Sequence, residues 1–285
     1  MGYPSGRGYD TIERACYSAT QRKATVSYMQ LGLVTYMWGA EWDLPTLIKN
    51  CQLTGFAGVE LRTGHEHGVE PLLSADERKR VADTFHDSGV TLVGLGTACE
   101  YHSPDRATLQ KNIDLTKAFM VLAHDCGASG VKVRPNGLPA DVPVQKTLEQ
   151  IGRALDELAA FGEGYGVVLR LEVHGPGTDK LEHIKTIMDV ADNPGATVCW
   201  NCNPADLAGQ GLEHNFNLVK KRLGTIHIHD LVSDYPWQAL FDLLNGCRFD
   251  GWTLLEEGAP TADPIRVMKY YRLLWERMTG SGGAF

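Results

Sequence analysis

The polar residues best able to do chemistry in this chain stand at the ends of short apolar runs. Arg170, Glu172 and His174 alternate with Leu169, Leu171 and Val173. In an extended segment that spacing puts the polar set on one face and the apolar set on the other. His227 and His229 alternate with Ile226 and Ile228 in the same way. Asn201 and Asn203 close the run before them, and Glu256 closes the run after. Four consecutive segments thus each offer a donor: Glu172, Asn201 or Asn203, His227 and Glu256. Two carboxylates, an imidazole and an amide oxygen suit one divalent cation, Mn²⁺ first, with Mg²⁺, Co²⁺ or Zn²⁺ as alternatives. One such residue alone is more often a satisfied hydrogen-bonding group. Four together, buried with no cation, are expensive to keep.

Further polar residues stand at corresponding places. Lys132 and Arg134 sit in Val131-Lys-Val-Arg134, Glu100 follows Gly96-Thr-Ala-Cys99, and Trp38 follows the first apolar run. A charge inside an apolar strand predicts that Lys132 faces the mouth of the sheet, with an ion pair to a neighbouring Glu as the simpler role. His65 lies in the loop His65-Glu66-His67, where a substrate contact and a solvated turn are evenly matched. Cys199-Trp-Asn-Cys202 has redox spacing. On a strand, however, residues three apart point to opposite faces, and a redox pair needs a helix start.

The elements that must carry these residues alternate. Strands are predicted at 30–38, 58–62, 91–96, 131–134, 167–174, 197–202, 225–229 and 252–256. Helices are predicted at 44–54, 75–88, 106–126, 145–162, 180–191, 213–222, 236–244 and 263–278. Asp105 is placed to cap the third helix, and Ser74 with Glu77 forms a capping-box pattern before the second. Strict alternation means parallel strands with crossover helices. Eight units in about 250 residues are the size of a single α/β domain, a closed (β/α)₈ TIM barrel. The first strand ends in Met37-Trp-Gly-Ala-Glu41, without the glycine-rich phosphate turn of an open doubly wound sheet. The expected division is an N-terminal extension at 1–29, the barrel at 30–279 and a Gly/Ser-rich tail at 280–285. In a barrel of this kind the chemistry lies at the C-terminal ends of the strands, where the polar residues above stand.

The chain has 285 residues and a formal charge of −8. An acidic balance argues against bulk nucleic-acid binding, and no run of 18 apolar residues predicts a membrane span. Seven cysteines scattered over this length read as reduced thiols. The N-terminus lacks the apolar core of an export signal. A cytoplasmic location is therefore expected, unless a signal was removed.

The segments Gly55-Phe-Ala-Gly-Val-Glu60, Leu169-Arg-Leu-Glu-Val-His174, Thr225-Ile-His-Ile-His-Asp230 and Gly251-Trp-Thr-Leu-Leu-Glu256 resemble the xylose isomerase-like TIM barrels, the group of sugar isomerases and epimerases that also includes endonuclease IV-type enzymes. The resemblance spans about 31–278. It implies the ligand set of the ketose 3-epimerases, carried onto Glu172, Asn201, His227 and Glu256, with Asn201 where that family usually has Asp. The neutral amide lowers the ligand charge and should weaken metal binding. The endonuclease branch is disfavoured, because Pro204 stands where one of its zinc-ligating histidines would be.

The resemblance further implies that Glu172 and Glu256 are catalytic acid/base residues acting on a keto-sugar through a metal-stabilised enediolate. Trp38, His65, Glu100, Lys132, Arg134, His174, Asn203 and His229 are then the substrate-binding candidates. Arg170 would hold hydroxyls or a phosphate alongside Arg134. A lyase or hydratase acting on 3-keto-sugars or their glycosides is the alternative, and a non-catalytic sugar-binding barrel the third reading. The expected partner is a small carbohydrate, with no nucleic acid and no membrane. The resemblance also implies a homo-oligomer, a dimer or tetramer.

Overall fold

The computed structural model describes residues 29–281. Apart from Met29, Gly280 and Ser281, the expected N-terminal extension and C-terminal tail lie outside those residues. Eight parallel strands close in sequence order into a barrel. They are β1 (Gln30–Val34), β2 (Gly58–Arg62), β3 (Thr91–Glu100), β4 (Gly130–Arg134), β5 (Val168–Glu172), β6 (Ala196–Trp200), β7 (Leu223–Ile228) and β8 (Trp252–Leu255). The crossover helices are α1 (Leu44–Thr54), α2 (Ala75–Ser88), α3 (Arg106–Cys126), α4 (Val144–Glu163), α5 (Leu181–Val190), α6 (Leu212–Val219), α7 (Trp237–Gly246) and α8 (Pro264–Thr279).

The helices start where the sequence supplies caps. Asp43, Asp105 and Asp263 each accept a backbone N–H of the first turn, and Ser74 with Glu77 closes a full capping box. The main core lies between the outer face of the sheet and the helix ring. Leu169, Leu171 and Val173 are fully buried there, against helices whose stripes include Leu148, Ile151, Leu155 and Leu158 of α4.

Two strands depart from the expected ranges in ways that affect the site. β1 ends at Val34 because Tyr36 N–H folds back onto the Val34 carbonyl at 2.8 Å. Trp38 is therefore not a strand-end residue. β3 runs on to Glu100 through a register shift after Gly96, which sets Glu100 beside Arg134 of β4.

Inside the barrel, a small apolar plug of Val34, Val93 and Leu254 sits alongside buried charge. Arg170 donates to the Val93 carbonyl at 2.8 Å and to Ser129 Oγ at 2.9 Å. Glycines on β3 and β4 leave space for its guanidinium: a Cβ at Gly94 or Gly130 would lie 2.6 or 2.5 Å from it. The expected role of Arg170 in binding substrate is therefore corrected. Period two sets which side of the sheet a residue faces but not its height. Arg170 lies two residues below Glu172, about 6.6 Å back along the strand, and its guanidinium is spent on the barrel interior.

Candidate active site

The C-terminal ends of β4 to β8 bring the polar residues together. Lys132, Arg134, Glu172, His174, Asn201, Asn203, His229 and Glu256 line one cavity of about 180 Å³. That is below the roughly 300–1,000 Å³ of pockets for drug-sized ligands. At its floor, Glu172, His227 and Glu256 offer ligand atoms within 4.8 Å of one another. His227 Nδ1 lies 3.6 Å from Glu172 Oε1 and 3.4 Å from Glu256 Oε2. Asn201 Oδ1 is buried there with no hydrogen-bond partner among the described residues. Three charged or imidazole donors plus an orphaned amide oxygen fit a divalent cation.

Lys132 is the ionic partner of this cluster. Its ammonium donates to Glu172 Oε2 at 2.7 Å, with both groups buried. Burial opposes charge on Glu172, but Lys132 and His227 outweigh it and hold the carboxyl well below the usual range. Burial likewise opposes charge on Lys132, and Glu172, Glu60 and Glu256 more than offset it. Glu256 follows the same logic: burial works against its charge, and His227 outweighs burial. Burial also disfavours protonated His227, yet Cys199, Glu60 and Glu256 push its pKa well above the ordinary imidazole value.

Glu60, at the third position of β2, is fully buried and was not among the expected site residues. Its Oε1 lies 3.2 Å from His227 Nε2. A metal-binding imidazole commonly gives its second N–H to a carboxylate, which sets the tautomer and ring plane. In the neutral ring that a metal ligand requires, an Nε2–H given to Glu60 would leave the Nδ1 lone pair facing Glu172 and Glu256. The available signal was Glu60 itself, an acidic residue between Val59 and Leu61.

His174 is fixed by a relay. Glu100 Oε1 accepts from Arg134 Nη2 and from Asn136 Nδ2, both at 2.7 Å. Asn136 Oδ1 therefore faces His174 Nδ1, also at 2.7 Å. The carboxylate orients the amide, and the amide makes Nδ1 the protonated nitrogen. In the neutral ring that arrangement makes Nε2 the acceptor.

A family described as xylose isomerase-like TIM barrel matches residues 48–271. The chain belongs to this family. Similar solved structures include a D-psicose 3-epimerase determined in the presence of D-fructose. It has 15% identity and a TM-score of 0.74, with 89% of this chain and 100% of that one covered. The 3-keto-D-glucoside 4-epimerase from E. coli is similar at 13% identity and a TM-score of 0.73, covering 87% and 99%. The IOLI protein with a bound zinc atom is similar at 15% identity and a TM-score of 0.75, covering 90% and 100%.

Within this family fold, the expected residues divide. Trp38, His65 and Glu100 do not line the cavity. Trp38 Nε1 donates to the Ala259 carbonyl at 2.8 Å and its ring borders a separate groove. His65 is half-buried in the β2–α2 loop. Burial, Arg62 and His67 lower its pKa. Glu100 acts behind the wall, through Arg134 and Asn136. His229 lines the cavity, but its ring nitrogens lie 2.8 Å from the Glu256 and Asn201 carbonyls, tying β6 to β8. Asn203 donates to the Val173 carbonyl at 2.7 Å. Tyr36 and Arg62 are lining residues that the alternation pattern did not single out. Cys199 and Cys202 are buried free thiols, and no disulfide is present among the described residues.

Proposed function

We propose that this protein is a divalent-metal-dependent sugar isomerase or epimerase. The observation that carries the reading is the convergence of Glu172, His227 and Glu256 on one point at the barrel mouth, beside a cavity of sugar size. Glu172, Asn201, His227 and Glu256 would hold the cation, with Mn²⁺ preferred among Mg²⁺, Co²⁺ and Zn²⁺. The family and the zinc in one similar structure support a metal here. When bound, the cation supplies electrostatic stabilisation for negative charge developing on substrate oxygens.

The chain's own groups do the rest. Glu172 and Glu256, from β5 and the end of β8, flank His227 and serve as the acid/base pair. One, ionised, removes a carbon-bound proton next to the carbonyl; the other takes up a proton from solvent and returns it to the resulting enediolate, and the first gives its proton to solvent to close the cycle. Lys132 orients Glu172 and donates to a substrate oxygen. His174 Nε2 accepts from a hydroxyl. The epimerases among the similar structures support a keto-sugar substrate.

Proton NMR in D₂O tests the reading. The protein should wash deuterium into a keto-sugar and return an isomer. Glu172→Gln and Glu256→Gln should each lower turnover by at least about 100-fold while the circular dichroism spectrum is kept. Near-parental rates in both variants would overturn the mechanism. The neutral Asn201 donor favours a second reading, because a changed ligand shell alters the fate of the enediolate. In that case a 3-keto-glycoside loses a substituent, and the same spectra would show an unsaturated or cleaved product.

A further inference from the structure

Three cationic side chains line the cavity: Arg62, Lys132 and Arg134. Two are already paired, Lys132 with Glu172 and Arg134 with Glu100, each at 2.7 Å. Arg62 is not. Among the described residues no carboxylate pairs with its guanidinium, which instead lies over the Tyr36 ring, 4.6 Å from the centroid. Stacking of this kind engages the face of the guanidinium and leaves its in-plane N–H edges free.

The position is also built. Arg62 N–H donates to Thr35 Oγ1 at 2.8 Å, and its carbonyl is 2.8 Å from His67 Nε2. His67 is held in turn by the Val69 N–H at 3.1 Å. Burial keeps the His67 pKa below its ordinary value, so His67 braces the loop and does not supply a second cation.

The charges in and beneath the cavity point the same way. With His227 counted neutral, as a metal ligand must be, the carboxylates of Glu60, Glu100, Glu172 and Glu256 are formally balanced by Arg62, Lys132, Arg134 and Arg170. A divalent cation at Glu172, His227 and Glu256 leaves two positive charges in excess. Asn201, the strand-six donor, is neutral and offsets none of it. A partly enclosed site of this kind favours a ligand that brings negative charge with it.

We propose that the substrate is an anionic sugar whose carboxylate or phosphate is held by the guanidinium fork of Arg62, while its keto end faces Glu172, His227 and Glu256. The inference rests on the carbohydrate reading above and names the substrate class of that site. A planar two-donor edge matches a carboxylate or phosphate in bidentate fashion. Arg62 is then the residue that sets specificity for charge.

Calorimetric titration of the full-length, Mn²⁺-loaded protein with D-fructuronate, D-fructose 6-phosphate and D-fructose tests it by binding alone. At least one anion should bind about tenfold or more tightly than fructose. The stronger of the two anions tells a carboxylate from a phosphate. Arg62→Gln should bring all three ligands within about twofold of one another. If that variant melts below the parent, Arg62→Lys decides instead: it keeps the charge without the fork, so the preference should fall at least about threefold. Fructose binding as tightly as both anions, or a preference that survives loss of the guanidinium, overturns the inference while the carbohydrate reading stands. Failure of all three sugars to bind overturns the carbohydrate reading, and the inference with it.

Discussion

Glu60 shows how a single buried residue governs the chemistry of its neighbours. Its carboxylate has no hydrogen-bond partner that meets full geometry among the described residues, yet it lies 3.2 Å from His227 Nε2. Its position is explained if it holds the imidazole with Nδ1 turned toward Glu172 and Glu256. Glu60→Gln keeps the shape but weakens the acceptor. Metal affinity, read by competition with a chromogenic chelator, should fall by about 10- to 100-fold, the usual effect of losing such a partner. Unchanged affinity would assign Glu60 to packing alone. Lys132 carries a lesson at the same scale. Both sequence readings hold, since it lines the cavity and is also ion-paired to a neighbouring Glu.

At the scale of elements, the loop after β6 holds another buried carboxyl, apart from the Glu172, His227 and Glu256 cluster. Asp206 lies in a short 3₁₀ turn, Pro204–Leu207. Its Oδ2 accepts from Tyr235 Oη at 2.9 Å, tying the β6–α6 loop to the β7–α7 loop. Burial pushes its pKa up to about 7 from 3.8. Between those two values the native chain keeps a proton that the unfolded chain has released. Native stability must therefore fall as pH rises through that window, by on the order of 4 kcal/mol in all, and level off above it. Asp206→Asn should flatten this part of the profile and melt higher than the parent at pH 8. Thermal melts from pH 4 to pH 8 read the difference, and parallel profiles would refute the assignment. The helices were legible nearly to the residue, because their caps and stripes are local. α1, α2 and α3 match their predicted ranges end to end. The strands were legible in order but not in length. β1 stops early at a turn and β3 continues through a register shift, and both events depend on neighbouring strands.

At the scale of the whole molecule, the barrel interior is a packed mixture of an apolar plug and buried charge. Arg170 of β5 reaches past β4 to β3 and is admitted by glycine on those two strands. Gly130→Ala would place a methyl group 2.5 Å from the guanidinium carbon. The expected loss is about 1–3 kcal/mol of stability, measured by urea unfolding, with Glu172 disturbed through the strand it shares with Arg170. A variant as stable as the parent would mean that Arg170 readily finds another path.

The sequence by itself determined the class of fold, the order of its elements, and which side of the sheet each polar residue faces. It also pointed to four donors on four consecutive strands. These rest on periodicities of 2 and 3.6, which are local properties of a chain. Only the tertiary structure decided depth and partnership. It sent Arg170 into the interior while Glu172 reached the mouth, and set Glu60 behind His227. It turned Glu100 into a brace for Arg134 and His174, and left Arg62 without a carboxylate partner among the described residues. The physical reason is that height within a closed barrel and contact across it depend on strand register and stagger. Those are set by pairing between residues far apart in the chain, and no local pattern encodes them.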